Sequence, residues 1–168
     1  MDAKPQPRLD AVLAPFLGLH CWSIIAGAGT GSVVSLGFGR KLPRTKILTN
    51  PHLNEDQRHF DAEYSIFVEC AWRLDASDQV VCGCWDSNDA DGPMIRGLQR
   101  LQGEAVQAID VSVPAFDLTV KYGSGLVLHV FCDQLLQGAS DNYSIFTHTD
   151  VFVIGPRSHL RIEPRRRE

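Results

Sequence analysis

The tetrapeptide Tyr64-Ser65-Ile66-Phe67 returns unchanged as Tyr143-Ser144-Ile145-Phe146. What stands upstream of each copy makes this an internal repeat rather than a coincidence. Val34-Ser35-Leu36-Gly37-Phe38-Gly39-Arg40-Lys41-Leu42 lines up with Leu118-Thr119-Val120-Lys121-Tyr122-Gly123-Ser124-Gly125-Leu126. Both stretches read as a strand ending in aromatic-Gly, a two-residue turn, and a leucine opening the next strand. Further upstream, Leu17-Gly18 matches Leu101-Gln102-Gly103, each closing a short helical pattern. Leu9, Val12, Leu13, Phe16 and Leu17 follow the 3.6 period in the first pattern. Ile95, Leu98 and Leu101 follow it in the second, with Pro93 suited to a first turn and Gly103 to a C-cap.

The spacing between equivalent landmarks falls from about 85 residues to 79 between the aromatic-Gly turn and the Tyr-Ser-Ile-Phe copies. The first half therefore carries the longer connection, and polar, aperiodic Thr49–Arg58 is its place, as a surface loop or loose helical turn. Strands are expected at His20–Ala26, Val33–Phe38, Ala62–Trp72 and Gln79–Trp85. In the second half they fall at Ala105–Val113, Phe116–Tyr122, Leu126–Cys132, Tyr143–His148, Val151–Ile154 and Leu160–Glu163. The expected fold class is α+β and rich in antiparallel sheet, with two helix-plus-meander halves related by a pseudo-two-fold. One domain spans 1–168, its repeat units are 7–85 and 93–163, and Asp86–Gly92 is an acidic linker between them.

A chain of 168 residues, 44% hydrophobic and 21% charged, has ordinary globular composition and buries enough surface to fold unaided. Its net charge of −4 argues against a nucleic-acid partner, which calls for a basic face. The arginines Arg165-Arg166-Arg167 after Pro164 read as part of a disordered basic tail, 164–168. Met1–Arg8 lacks a charged-then-apolar leader pattern, and no apolar run approaches the roughly 18–20 residues of a membrane span. Five irregularly spaced cysteines (Cys21, Cys70, Cys82, Cys84, Cys132) suit reduced thiols, so a cytoplasmic setting without membrane contact is expected.

Glycine-rich Gly27-Ala28-Gly29-Thr30-Gly31 lacks the Gly-Lys step of a phosphate loop, and its third dinucleotide-type glycine is Ser32, so it reads as a hairpin turn. Asp86-Ser87-Asn88-Asp89-Ala90-Asp91-Gly92 fails as a calcium loop. With Gly92 sixth, Ser87 stands first and Leu98 twelfth, where a bidentate carboxylate is needed. Cys82-Gly83-Cys84 has no second pair to complete a zinc site. Neither His129 nor His148 is matched by sequence to a cysteine or to Asp117 as a nucleophile–base pair. No cofactor, metal or catalytic residue is therefore expected, and the protein is read as a non-enzyme.

Trp22, Trp72 and Trp85 all lie in the first half, without aromatic counterparts in the second. Tryptophan and arginine dominate binding surfaces when exposed. Trp22, Trp72, Arg73, Trp85 and Asp86 are accordingly the expected partner-binding residues. The pattern Leu101-x-Gly103, Asp117-Leu118-x-Val120-x-Tyr122-x-x-x-Leu126 and Asp141-x-Tyr143-Ser144-Ile145-Phe146 resembles small bacterial β-rich proteins of unassigned function, some of them similar to immunity partners of polymorphic toxins. The resemblance implies a non-enzymatic protein-binding module, such as an immunity protein neutralising a bacterial toxin. Two other classes stand beside it. One is a small-molecule binder or unrecognised enzyme with a site between the halves. The other is a structural module, a homodimer through exposed strand edges.

Overall fold

The computed structural model describes residues 8–167. Residues 1–7, which hold the start of the first expected unit and most of the segment read for a leader, lie outside the described residues, as does Glu168 of the expected tail. The described chain opens with α1 (Leu9–Leu13), continued by a 3-10 turn at Ala14–Phe16. Leu9, Leu13 and Phe16 are buried, as their helical spacing requires. A meander of β1 (Cys21–Ile25), β2 (Val34–Pro43) and β3 (Phe60–Val68) follows, with α2 (Glu55–His59) in the long connection. This one-turn helix is set by a capping box: the Asn54 side chain accepts from the Gln57 N–H, and the Gln57 side chain accepts from the Asn54 N–H.

The chain continues through β4 (Ala71–Asp75), β5 (Val80–Gly83), α3 (Pro93–Gln99), β6 (Val106–Ser112), β7 (Asp117–Tyr122), β8 (Val127–Phe131), β9 (Tyr143–Phe146), β10 (Asp150–Ile154) and β11 (Leu160–Pro164). Two antiparallel sheets result, sheet one in the order β1-β2-β3-β9-β10-β11 and sheet two in the order β5-β4-β8-β7-β6. Strand alternation sends Leu36, Phe38, Ile66, Val68, Tyr143 and Ile145 of sheet one into the same core as Trp72, Leu74, Leu118, Val120, Leu128 and Val130 of sheet two. Met94, Leu98 and Leu101, on α3 and just beyond it, join them. Each such side chain contributes about 1.5–3 kcal/mol by leaving water. Two part-buried hydrogen bonds tie the layers: Trp72 Nε1 donates to the Ser32 carbonyl at 2.7 Å, and the Tyr143 hydroxyl to the Phe116 carbonyl at 2.8 Å. The chain is thus β-rich with a few short helices, an α+β arrangement.

Several expectations are corrected. Val34–Leu42 is not a hairpin but one strand, interrupted by a register shift between Phe38 and Lys41. Gly39 sits in that bulge with φ +79°, and an added Cβ would lie 2.7 Å from Glu63 Oε2. Its counterpart Tyr122-Gly123-Ser124-Gly125 does turn the chain, the Gly125 N–H donating to the Tyr122 carbonyl at 3.0 Å. The expected strand Ala62–Trp72 is broken at Glu69-Cys70, whose N–H groups both donate to the Asn142 carbonyl, at 2.9 and 3.0 Å. There the chain leaves sheet one for sheet two. The two Tyr-Ser-Ile-Phe copies do not occupy equivalent places in separate meanders. They pair with each other, β3 against β9, with Ile66 opposite Ile145.

The expected frayed tail is corrected as well. Pro164 lies in β11, and the Arg165 side chain is only 3% exposed beside Asp61. The linker Asp86–Gly92 is tied down too, because Asn88 Nδ2 donates to the carbonyls of Gly27 and Gly31 at 3.0 and 2.9 Å. Among the described residues no helix is long and apolar enough to cross a membrane.

Candidate functional site

On the outward face of sheet two, β4 and β8 pair with Ala71 opposite Phe131, Arg73 opposite His129 and Asp75 opposite Val127. Since Trp72, Leu74, Leu128 and Val130 face inward, these six face out. Arg73 forks onto Asp75, with Nε and Nη2 donating to the two carboxylate oxygens at 2.8 and 2.9 Å. Those bonds raise the Arg73 guanidinium above its usual range. His129 Nε2 lies 3.2 Å from the same carboxylate. The His129 ring stacks on Phe131 at 6.1 Å, and the Arg73 guanidinium sits 5.7 Å from the Phe131 ring centre. Arg73, His129, Phe131 and Asp75 thus contact one another on this face.

Beside this cluster, β5 ends the sheet with Val80 60% exposed, and Trp85 follows it at 94% exposure. Asp86 fixes the turn that presents Trp85: its carboxylate accepts from the Gly83 N–H at 2.8 Å while its own N–H donates to the Gly83 carbonyl. Between Trp85, Val80, Arg73 and Phe131 lies an open concavity of about 350 Å³ floored by Ala71, Trp72 and Gly83. Three of the five expected residues, Arg73, Trp85 and Asp86, are thus brought together.

The other two lie elsewhere, Trp72 buried and Trp22 half-buried on sheet one. Trp72 is 1% exposed, so its inclusion as a contact residue is corrected: its position in β4 turns it inward, and it supports the patch from below. Trp22 lies in the β1 bulge on sheet one with the Lys41 ammonium 5.2 Å from its ring centre, and it does not line this concavity. His129 enters the sequence reading only as a candidate base, and Phe131, Val80 and Asp75 are absent from it. The alternation of Leu128 and Val130 already placed His129 and Phe131 on the outer face, and that was the available signal.

The histidines and cysteines remain apart. His129 pairs with Asp75 and His148 with Glu63 at 2.9 Å, each with a carboxylate rather than a thiol. Burial pushes the Cys21 and Cys82 thiols up to about 12. Cys70 is raised chiefly by its hydrogen bond to Cys132, its neighbour across β4 and β8, and then by burial. Such thiols are poor nucleophiles at neutral pH. Among the described residues no group of three or more His, Cys, Asp or Glu side chains is arranged to hold a metal ion. A cavity of about 410 Å³ opens between α1, β6 and β11 and is lined mainly by Leu9, Ile109, Val111, Phe116 and Leu160, with the exposed Arg8–Asp10 pair at its rim. No protein-family model, curated protein or solved structure matches this chain.

Proposed function

We propose that the protein is a non-enzymatic binding module that docks a protein partner on the outer face of sheet two, as an immunity protein docks the toxin it neutralises. One observation carries this reading: Trp85 stands almost wholly in solvent, beside Val80, Phe131 and a pre-formed Arg73–Asp75 fork. A tryptophan buries on the order of 150–250 Å² when covered, and rigid aromatic and arginine anchors around a shallow pocket are where binding energy concentrates. The free edge of β5 adds backbone groups that an extended partner segment can pair with. With a net charge of −4, encounter with a basic partner is favoured.

Trp85→Ala tests it directly. Tagged wild-type protein should retain one stoichiometric protein from its native host, and the variant, with unchanged melting, should lose it by roughly 30-fold or more in affinity. Equal retention by both, or no stoichiometric partner at all, would count against the proposal. The same β5 edge favours a second reading, pairing of two copies edge to edge. Light scattering at increasing concentration separates the two, because only the second gives a dimer of this chain alone.

We also infer that the two halves are related by a pseudo-two-fold. In this arrangement β1–β3 correspond to β6–β8, and each meander is extended by a hairpin from the other half: β9–β10 beside β3, and β4–β5 beside β8. The support is a reciprocal set of backbone bonds at the join. The Gly18 N–H donates to the Val106 carbonyl at 2.8 Å and the Gly103 N–H to the Cys21 carbonyl at 2.7 Å. Likewise the Val106 N–H donates to Leu19 at 3.0 Å and the Cys21 N–H to Glu104 at 2.9 Å, around the bridge of His20 with Ala105. Separately expressed halves should then fail to fold alone and regain the native spectrum only on mixing. A half that folds by itself would sink this reading.

A further inference from the structure

We infer that the outer face of sheet one carries a second binding site, built for the phosphate of a small phosphate ester whose organic part lies against two phenylalanine rings. It rests on a different face from the partner surface and does not depend on it. The floor is set by register. Ser35 stands opposite Phe67 on β2 and β3, and Ser65 stands opposite Phe146 on β3 and β9. Outward alternation therefore lays two hydroxyls and two phenyl rings side by side under a cavity of about 320 Å³.

The rim is cationic. Among the described residues, Arg44, Arg165, Arg166 and Arg167 line the cavity against a single carboxylate, Asp61. That carboxylate is already engaged by Arg165 at 2.8 Å and lies 3.9 Å from Arg44. Arg165 is the reason the rim exists. Its guanidinium donates to the carbonyls of Glu63, Thr147 and Ala62 at 2.7–2.9 Å, which fixes the segment across β3 and β9. Arg166 and Arg167 come next in the chain and are exposed at the cavity mouth. In a protein of net charge −4, this is a local excess of the residue whose planar fork best matches phosphate oxygens. Hydroxyls add donors beneath, and the rings supply a face for a base or other flat group.

The test titrates the whole protein with inorganic phosphate and with adenosine 5′-monophosphate by calorimetry at low salt, while amide shifts locate the contact. Both probes should bind and shift Ser35, Ser65, Phe67 and Phe146, the nucleotide about tenfold or more tightly through ring stacking. Arg166→Ala/Arg167→Ala, two surface changes, should weaken both about tenfold or more, and Phe67→Ala should weaken the nucleotide alone. The proposal is overturned by silence from both probes at millimolar concentration, by binding that the double variant retains, or by equal affinity for the two. Displacement of the nucleotide by poly-glutamate at lower concentration also overturns it, in favour of an acidic protein segment.

Discussion

Replacing Arg165 by alanine removes a guanidinium that is 3% exposed and shares four hydrogen bonds between two nitrogens. Truncating one partner of a buried ion pair typically costs about 3–5 kcal/mol, because the other charge is left without compensation. Here the remaining carboxylate, Asp61, is 27% exposed and keeps Arg44 at 3.9 Å, which lowers the figure. Three carbonyls lose a donor at the same time, and the contact with the Phe146 ring at 5.7 Å disappears. The expected loss is about 2–4 kcal/mol, or a fall of roughly 5–15 °C in Tm for a chain of this size. Urea unfolding followed by tryptophan fluorescence gives the free energy, and a thermal melt gives the second measure. Arg165→Lys should recover little, since one ammonium cannot span acceptors on both sides of a planar fork. A loss below about 0.5 kcal/mol for the alanine variant, or full stability of the lysine variant, would refute the reasoning.

Other expectations follow from buried polar groups and close contacts. Burial by itself would raise the Glu63 carboxyl, but the Arg40 N–H, the Arg40 guanidinium and His148 outweigh it and hold the group at about 2. The folded value lies below the unfolded one near 4.3, so this stabilisation is complete above about pH 5 and is lost as pH falls toward 2. Glu63→Gln should flatten that acid limb in urea midpoints measured from pH 7 to 2; a curve parallel to wild type would contradict it. The Tyr122 hydroxyl is buried without a partner among the described residues, and burial pushes its ionisation well up. Tyr122→Phe should therefore leave stability equal or raise it by up to about 1 kcal/mol, and a clear loss in the same assay would argue otherwise. A Cβ at Gly97 would stand 2.5 Å from Cys82 Sγ and 3.2 Å from Val81 Cγ1. Gly97→Ala should cost about 1–3 kcal/mol from overpacking, less the roughly 1 kcal/mol that alanine gains in a helix. Its cost should shrink only in part in a Cys82→Ala background, because the Cys82 Cβ, 2.7 Å from the added methyl, remains; strict additivity would show that the sulfur contact carries none of the cost.

Strand positions were legible because alternation reports which residues face a core, and the inward residues Leu118, Val120 and Tyr122 are fully buried as their spacing requires. Alternation carries no information about which sheet a strand joins. Ile66-Phe67-Val68-Glu69-Cys70-Ala71-Trp72 reads as one run, yet the sheets part within it, because one distant carbonyl, that of Asn142, takes the N–H groups of both Glu69 and Cys70. A bond across more than seventy residues leaves no local trace. The same limit explains why the Tyr-Ser-Ile-Phe copies were matched as equivalents, when antiparallel pairing makes them direct neighbours.

The candidate site divides along the same line. Arg73 was legible as exposed from the parity of β4, and that parity also turns Trp72 inward, so treating the two as one surface set aside information the pattern already held. Trp85 owes its exposure to something periodicity cannot report: it falls just past the end of β5, where Asp86 closes a turn on Gly83. The basic tail failed for a third reason. A run of like charge reads as solvated unless a specific acceptor set waits for it, and Arg165 finds Asp61 and three carbonyls contributed by β3 and the segment after β9. Burial of that one guanidinium is what converts a composition signal for disorder into a wall of the sheet-one cavity. Trp85 on sheet two and the arginine segment on sheet one thus lie on different outer faces, and each is held in place by a carboxylate on a neighbouring residue or strand.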